Sequence, residues 1–368
     1  MMLSLPPDAS QVVPMIKEII QSLVDNIDLT EEAAADALRA ILKNDATNAQ
    51  IGAFLTALRM KGETVEEMVG MARVMKEMCI KVELPSKEHL IDIVGTGGDR
   101  VKTFNISTIA ALIVAGAGGR VAKHGNRAIT GRCGSADLLE ALGVNIRADP
   151  ETVKQCINTS YIGFMFAPDY HPAMKRVMEP RREIGIRTIF NVLGPITNPA
   201  GVSSQLIGVP DESLIIKVAR VLPRLGVKHA MVVHGQEGTD EISAAGKTKV
   251  AWIRDGGISL LELHPSRFGI DPVKPELIIS DSVEKSLEIA VKVLCNCYED
   301  KDPRKLFSLV NAAAGLIVAG LSDKFDDAFE LAKESLESGK ALERLKQLVK
   351  TSRGDHDRFE EVIERYSK

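Results

Sequence analysis

DIVGTGGDRVKTFNIST, residues 92–108, leads from an apolar run through three glycines into a segment rich in hydroxyl groups. A second apolar run begins at Ile106 and follows directly. The order of apolar strand, glycine turn and helix start is typical of an α/β domain. In such a turn the backbone N–H groups approach a ligand without side chains in the way.

The composition is that of an ordinary folded protein. The chain has 368 residues, of which 45% are hydrophobic and 26% are charged, and its formal net charge is -4. This length fits about two domains. The slight acidic balance, without a terminal block of Lys and Arg, gives no general electrostatic reason to expect binding to nucleic acid or to a membrane. The most apolar runs, 106–119 and 309–320, are shorter than the ~20 residues that a bilayer requires and predict buried helices.

The cysteines indicate a reducing compartment. Cys79, Cys133, Cys156, Cys295 and Cys297 are too scattered for a disulfide framework, and the last two lack the second pair that a zinc site requires. The first ten residues lack the charged and apolar regions of a signal peptide. We therefore expect reduced thiols in a cytoplasmic protein.

Hydrophobic periodicity divides the chain into two parts. From Val13 to about Ile80 the apolar positions recur at helical spacing, and Thr64-Val-Glu-Glu67 predicts a capping box. A small all-α domain is expected over residues 1–85. After Pro85 short runs rich in Ile and Val alternate with longer helical patterns. This rhythm predicts a larger α/β domain over residues 86–368, with a mostly parallel central sheet flanked by helices.

The predicted parallel strands cover residues 89–94, 120–123, 163–166, 204–209 and 229–234. The pattern around Gly256-Gly257 predicts an antiparallel hairpin over 248–263. Asp149-Pro-Glu predicts a helix start, because Asp caps free N–H groups and Pro tolerates the first turn. Two helices are expected over 306–320 and 323–351, followed by a solvated helix or tail over 353–368.

The hydroxyl groups after the glycine turn predict an anion site. Ser107 and Thr108 lie at the predicted start of a helix, where free N–H groups and the helix dipole stabilise a phosphate. A pyrophosphate would fit here, while Asp99 suits magnesium or a ribose hydroxyl. The alternative is a plain strand-to-helix turn with Asn105 and Ser107 as caps, since neither the Walker spacing nor Gly-x-Gly-x-x-Gly is present.

Two further polar groups follow predicted strands. Lys123-His-Gly-Asn126 places a cation, an imidazole and an amide at a strand end, where the ligands of parallel sheets lie. Asp240-Glu241 offers adjacent carboxylates that suit magnesium shared with substrate phosphates. The alternatives are a solvent-exposed turn for the first group and a surface acidic turn for the second.

A basic segment follows His171. Five Lys and Arg residues lie within the thirteen positions 175–187. Most such charges are exposed and contribute little to stability. An arginine among them has the two-pronged donor set that holds a carboxylate.

Seven motifs, taken in this order, resemble those of the anthranilate phosphoribosyltransferase family. They are Gly-Thr-Gly-Gly-Asp, Asn-Ile-Ser-Thr, Lys-His-Gly-Asn-Arg-Ala, Gly-Ser-Ala-Asp, His-Pro-Ala-Met-Lys, Arg-Thr-Ile-Phe-Asn-x-Leu-Gly-Pro and Gly-x-Asp-Glu. The resemblance covers nearly the whole chain, to about Gly354. It implies a helical domain completed by a helical segment near residues 170–191, a larger α/β domain, homodimers formed through the helical parts, and an active site at the hinge.

The resemblance also implies the reaction and its residues. The phosphoribosyl group of phosphoribosyl pyrophosphate would pass to the amine of anthranilate, with release of pyrophosphate, in tryptophan biosynthesis. The residues implied for phosphoribosyl pyrophosphate are Gly95, Gly98, Asp99, Thr103, Asn105, Ile106, Ser107, Thr108, Lys123, His124, Gly125, Asn126, Arg127, Ala128, Ile129, Thr130, Gly131 and Ser135.

Two magnesium ions and an anthranilate site are implied in the same way. Ser107, with Glu241 nearby, would bind the first ion, and Asp240 with Glu241 would bind the second. The residues implied for anthranilate are Gly95, Asn126, Arg181 and His171, with His124 in the same channel.

The chemistry of this reaction suits these residue types. Loss of pyrophosphate leaves an oxocarbenium-like centre, so the departing charge has to be neutralised. The aromatic amine is already neutral and mainly needs alignment, with Arg181 holding its carboxylate and Asn126 orienting its amine. We expect catalysis by positioning and electrostatics, without a covalent intermediate and without one assigned catalytic residue.

One loop departs from the family pattern. Family members commonly carry Ser-Ser-Lys-Ser where this chain has Thr130-Gly-Arg-Cys133. The loop keeps a hydroxyl and a cation but loses two hydroxyls. The N–H of Gly131 is the group expected to compensate.

Two other functions stay open at this stage. A pyrimidine nucleoside phosphorylase shares the architecture, although phosphorylases carry a Ser-Gly-Arg type of sequence at the turn of Lys123. A relative of the fold that binds nucleic acid would need a basic surface stripe. The balanced charge and the Asp240-Glu241 pair favour the transferase.

Overall fold

The computed structural model describes residues 16–98, 101–128 and 133–367. The first four helices are α1 (Ile16–Val24), α2 (Glu31–Leu42), α3 (Asn48–Lys61) and α4 (Val65–Met78). Thr30, Thr47 and Thr64 cap α2, α3 and α4 by accepting a backbone N–H three residues later. At Thr64 the side chain of Glu67 completes the reciprocal bond, which confirms the predicted capping box.

A seven-stranded sheet forms the centre of the remaining chain. Its strands are β1 (Leu90–Gly95), β2 (Arg120–Gly125), β3 (Ile162–Phe166), β4 (Ser204–Gly208), β5 (His229–Gly235), β6 (Thr248–Arg254) and β7 (Gly257–Leu263). The strand order is β3-β2-β1-β4-β5-β6-β7. The first five strands pair in parallel, while β5, β6 and β7 pair antiparallel. All five predicted parallel strands and the hairpin are confirmed.

Helices cover both faces of this sheet. They are α5 (Ile106–Gly116), α6 (Ser135–Ala141), α7 (Pro150–Ser160), α8 (Ala167–Tyr170), α9 (Lys175–Ile184), α10 (Phe190–Ile196), α11 (Ser213–Arg224), α12 (Val283–Leu294), α13 (Pro303–Val318), α14 (Phe325–Glu337), α15 (Lys340–Thr351) and α16 (His356–Tyr366). The two most apolar runs form α5 and α13, which are buried helices as predicted, and the two helices pack together in the main core. Asp149 caps α7 as expected, accepting the N–H of Thr152. Within the described ranges no helix is long and apolar enough to cross a membrane.

Two predictions for the C-terminal region are wrong. The single helix expected over 323–351 is broken between α14 and α15, because Gly339 has a left-handed φ of 73° that a continuing helix does not allow. The last segment is not simply solvated, since α16 buries Phe359 and Val362 in the main core.

The helical part and the sheet share a continuous packing surface. Helix α9 packs on α2 and α3, and α10 packs on α4. Helix α11 lies between α4 and the strands β5 and β6. Val177, Phe190 and Leu193 therefore belong to the same apolar cluster as Phe54 of α3 and Val218 of α11. The segment from α9 to α10 brings helical-part residues to the edge of the sheet.

Two glycines of the helical part give a matched test of this packing. A Cβ on Gly70 of α4 would lie 2.1 Å from the backbone O of Glu31, whereas a Cβ on Gly52 of α3 would make an ordinary 3.7 Å contact with Ile184. Gly70→Ala is expected to lower the free energy of unfolding by about 1–3 kcal/mol, because backbone cannot yield as a side chain does. Gly52→Ala is expected to raise it by up to about 1 kcal/mol through helix propensity. Urea unfolding of both variants checks this, and equal effects would contradict the described packing.

Candidate functional site

The glycine turn lies where the strand order reverses. From β1 the chain builds β2 and β3 on one side and then returns to place β4 on the other side. Ligands of open α/β sheets bind in the crevice at such a switch point, beyond the carboxyl ends of the strands. Gly95 ends β1 opposite Gly208 of β4, and the N–H of Thr96 donates to the carbonyl of Gly208 at 2.9 Å.

Asp240 covers this pair of strand ends. Its carboxylate Oδ2 accepts the N–H of Gly97 at 2.9 Å. A Cβ on Gly95 would lie 2.2 Å from the same Oδ2, and a Cβ on Gly208 would lie 1.6 Å from the Asp240 carbonyl O. Glycine is therefore required at both strand ends for the acidic loop to pack on the sheet.

The start of α5 already binds a carboxylate of the protein. The backbone N–H and the hydroxyl of Ser107 both donate to Glu241 Oε1, at 3.2 and 2.5 Å. The Asn105 side chain makes no capping bond and instead donates from Nδ2 to the carbonyl of Cys133 at 2.9 Å. Asn105 is thus the N-cap residue of α5 by position, but its side chain makes no capping bond, and the Ser107 hydroxyl donates to Glu241. Glu241 occupies the positive end of α5, where an anion is stabilised.

Asp240 and Glu241 are not a surface acidic turn. Each is only 7% exposed, and burial raises the pKa of Asp240. The loop that carries Asp240 and Glu241 is held in place by Asn311 of α13, which is fully buried. Asn311 Oδ1 accepts the N–H of Ile242, and its Nδ2 donates to the carbonyls of Ile242 and Phe307, all at 2.8 to 2.9 Å. Asn311 was not predicted as a site residue, and its one signal in the sequence is an amide within an apolar run.

Lys123 and Asp92 lie beneath the crevice. Lys123 is 2% exposed and donates from Nζ to the carbonyl of Ile93 at 2.7 Å, so the Lys-His part of its motif is not a solvent-exposed turn. Asn198 Nδ2 donates to Asp92 at 2.7 Å. Burial raises the pKa of Asp92 to about 6 and lowers the pKa of Lys123. Lys123 therefore uses one of its three N–H donors to bind the end of β1.

His124 and His171 form a neutral pair beside the crevice. Their ring centroids are 5.1 Å apart, and His124 Nδ1 lies 3.2 Å from the carbonyl O of Gly194. A carbonyl only accepts, so Nδ1 carries the proton and Nε2 of His124 is an acceptor. Burial lowers the pKa of His124 to about 3 and that of His171 to about 4. Within the described residues neither Nε2 has a hydrogen-bond partner, although both are buried.

The two arginines predicted for the substrates differ in their surroundings. Arg127 is held by Asp137 at 2.9 Å and Glu140 at 2.7 Å. Arg181 of α9 lies over the ring of Phe190, 5.3 Å from its centroid, and burial lowers the pKa of its guanidinium. In the described part of the chain no carboxylate forms a salt bridge with Arg181. A desolvated arginine of this kind is suited to receive an anionic ligand.

Several residues predicted to bind phosphoribosyl pyrophosphate take part in backbone bonds or in packing. Thr103 forms an isolated bridge with Ile279, while the side chains of Ile106 and Thr108 are buried. The N–H of Ala128 is bonded to Asp137 at 3.0 Å. Ser135 donates to the carbonyl of Asn126 at 3.4 Å, and its Oγ would lie 2.1 Å from a Cβ on Gly125. Asp99 and the loop from Ile129 to Gly131, with Arg132, lie outside the described residues.

The donor set suits magnesium when a substrate supplies the remaining ligands. Among the described residues no three His, Cys, Asp or Glu side chains converge on one point. The carboxylates of Asp240 and Glu241 and the hydroxyl of Ser107 are hard oxygen donors at one edge of the sheet. Magnesium typically takes one or two carboxylates of the protein and completes its shell with phosphates and water.

Comparisons with known proteins agree with this geometry. The family model for the helical bundle domain of a glycosyl transferase family matches residues 17–79, and the model for the a/b domain matches residues 87–342. The chain is 46% identical over 340 residues to the anthranilate phosphoribosyltransferase of Persephonella marina, covering 92% of this chain and 100% of that protein.

Two solved structures are similar over most of the chain. The crystal structure of anthranilate phosphoribosyltransferase from Thermus thermophilus matches with a TM-score of 0.85 and 37% identity, over 91% of this chain and 99% of that one. The enzyme of the same name from Saccharomyces cerevisiae, in complex with PRPP and Mg, matches with a TM-score of 0.84 and 29% identity, over 92% and 98% of the two chains.

Asn311 allows a test of how the acidic loop is held. Asn311→Ala is expected to lower the free energy of unfolding by about 2–3 kcal/mol, because the N–H and the carbonyl of Ile242 are left buried without this partner. Asn311→Leu fills a similar volume without donors or acceptors, so a similar loss in that variant assigns the effect to hydrogen bonding and not to a cavity. Urea unfolding measures both, and an unchanged midpoint would show that the loop does not depend on Asn311.

The histidine pair predicts a pH dependence of stability. A depressed folded pKa means that the unfolded chain takes up protons first, so the stabilisation is complete above about pH 6.5 and is lost as the pH falls towards 4. Between pH 7 and pH 4 the wild type loses free energy of unfolding, and His171→Gln is expected to reduce that loss by about 3 kcal/mol. The exposed His356 gives the control, His356→Gln, which should leave the slope unchanged. Urea unfolding at each pH measures the slopes, and equal slopes for both variants would contradict the burial of His171.

Proposed function

The chain belongs to the anthranilate phosphoribosyltransferase family, and we propose from this premise how its residues divide the reaction between the two substrates. The enzyme is a pentosyltransferase that moves the phosphoribosyl group of phosphoribosyl pyrophosphate to the amine of anthranilate in tryptophan biosynthesis. The matches favour this activity over the phosphorylase and over a role in binding nucleic acid. The assignments that follow are proposals about individual residues.

Phosphoribosyl pyrophosphate is proposed to bind at the switch point between β1 and β4. The observation that carries this assignment is that the glycine turn, the start of α5 and the Asp240-Glu241 loop meet there through hydrogen bonds. Backbone N–H groups near Gly98 and Ser107 are the donors for its phosphates. Thr103, Asn105, Asn126 and Ser135 belong to the same proposed donor site.

Two magnesium ions are proposed, one at Ser107 with Glu241 and one at Asp240 with Glu241. Bound there, they would neutralise the charge that develops on the leaving diphosphate. Glu241 is the shared ligand, and its present bonds to Ser107 hold its carboxylate at the start of α5. The magnesium in the yeast structure supports the class of metal.

Anthranilate is proposed to bind between Arg181 and the neutral histidine pair. The guanidinium of Arg181 receives the carboxylate by two parallel hydrogen bonds. His171 and His124 stay uncharged at physiological pH, because the pKa of each lies at about 4 or below. Nε2 of His124 is an open acceptor, and neither neutral ring repels a cationic centre. Asn126 and Gly95 border the position of the amine.

The reaction then needs alignment more than acid or base strength. The bond from the anomeric carbon to the diphosphate oxygen breaks, and the lone pair of the amine nitrogen forms the new bond on the opposite side. The diphosphate leaves with the electron pair of the broken bond, and the new ammonium nitrogen then releases one proton to solvent. Charge neutralisation at the glycine turn and orientation by Arg181 supply the catalytic effect, without a covalent intermediate.

A cytoplasmic homodimer is proposed for the complete enzyme. The described cysteines are free thiols, which supports a reducing compartment. Association through the helical part follows from the resemblance to the family, and Met60 of α3 and Met178 of α9 are exposed apolar residues there, at 83% and 54%. The division into a helical domain up to residue 85, completed near 170–191, and an α/β domain from residue 86 belongs to the same proposal.

The anthranilate assignment is tested with Arg181→Ala. The variant is expected to raise the KM for anthranilate about 10- to 100-fold, because a charge-assisted hydrogen bond contributes roughly 1.5–3 kcal/mol. The KM for phosphoribosyl pyrophosphate is expected to stay within about twofold, since this residue does not touch the glycine turn. Loss of anthranilate fluorescence, with and without magnesium, measures both constants.

Arg182, the exposed neighbour on α9, provides the matched control. Arg182→Ala removes the same charge and should leave both KM values unchanged. An unchanged anthranilate KM in Arg181→Ala, or equal effects in the two variants, would show that Arg181 does not hold the carboxylate.

A further inference from the structure

Arg187 connects the helical part to the glycine turn. It lies between α9 and α10, outside both helices, and is half-buried. Its Nη2 donates to the carbonyl of Gly97 at 2.7 Å. A Cβ on Gly98 would lie 1.2 Å from Nη1, so the guanidinium fills the space that a side chain at position 98 would take. A φ of 77° favours glycine at position 98, and a side chain there would displace the guanidinium of Arg187.

The same turn connects Arg187 to the carboxylate of Asp240. The carbonyl of Gly97 accepts from Arg187, and the N–H of Gly97 donates to Asp240 Oδ2 at 2.9 Å. Both side chains are thus bonded to the same residue of the turn, and Asp240 is only 7% exposed, so the charge of Arg187 acts on this carboxylate with little screening by solvent.

A fixed cation beside a carboxylate discriminates between ligands by their charge. It repels a second cation that arrives alone, and it attracts a diphosphate or a diphosphate that already carries a metal ion. Resting on the proposed function, we propose that Arg187 is a positioning residue that disfavours free divalent metal at Asp240 and favours the phosphoribosyl donor. The metal then enters the site mainly together with the diphosphate.

This role differs from that of a plain structural clamp. If Arg187 only held the glycine turn, its loss would disorder the turn and weaken the binding of metal and of donor alike. If its charge discriminates, its loss strengthens the binding of free metal and weakens the binding of the donor. The two effects have opposite signs, which a structural role does not produce.

The test uses the full-length protein and Mn²⁺ as a probe for the magnesium site. Free Mn²⁺ is counted by electron paramagnetic resonance in the absence of substrates, and KM values are measured with saturating magnesium. Arg187→Gln is expected to bind Mn²⁺ about tenfold more tightly and to show a KM for phosphoribosyl pyrophosphate about tenfold higher, the size expected for one nearby partly exposed charge. The KM for anthranilate is expected to change by less than about twofold.

Three further variants separate the possible outcomes. Arg187→Lys keeps the charge but lacks the guanidinium, and it should retain the Mn²⁺ affinity of the wild type. This variant serves as the readout if Arg187→Gln does not fold. Arg182→Gln removes an exposed charge of α9 and should change neither affinity. Asp240→Asn should abolish the Mn²⁺ site, and unchanged Mn²⁺ binding there would refute the proposed metal site itself. If Asp240→Asn abolishes binding while Arg187→Gln weakens it or leaves it unchanged, the role proposed for Arg187 is wrong.

Discussion

The close approach of the acidic loop to two strand ends is the constraint on which the site depends. Gly95 and Gly208 face each other across β1 and β4, and the loop of Asp240 packs directly on both. Any side chain at either position would push the carboxylates away from the glycine turn. The register between these two parallel strands therefore sets the distance between the phosphate donors at α5 and the carboxylates after β5. A shift by one residue would also exchange the side chains that β1 presents to its two buried faces, including the buried Asp92.

The two halves of the crevice differ in their electrostatics. Around the glycine turn, buried carboxylates face cationic and N–H groups, so the site is strongly polar and depends on charge balance. Burial keeps the rings of His124 and His171 uncharged. The polar half suits a polyanionic donor, and the uncharged half suits a flat aromatic acceptor. Arg181 is the charged group that the second half retains, and its aromatic neighbour Phe190 limits its access to water.

The sequence predicted local features better than contacts that join distant segments. The strands, the hairpin and the capping box of Thr64 follow from periodicity and from spacing within a few residues, and all were confirmed. Asn311 and Arg187 were missed as site residues because each acts on a loop about 70 to 90 positions away. The direction of the Lys123 side chain could not be predicted, because a cation at the end of a strand can point into the crevice or beneath it. The break at Gly339 was overlooked because helical periodicity continues on both sides of it.

The bond between Ser107 and Glu241 has a consequence for the search for inhibitors. The protein's own carboxylate lies on the donors at the start of α5, and it imitates there the phosphate of a substrate. An anionic compound presented to metal-free enzyme would have to displace that internal mimic and would gain few new hydrogen bonds by doing so. Screens carried out with chelators in the buffer would therefore select for the aromatic half of the crevice and overlook diphosphate analogues.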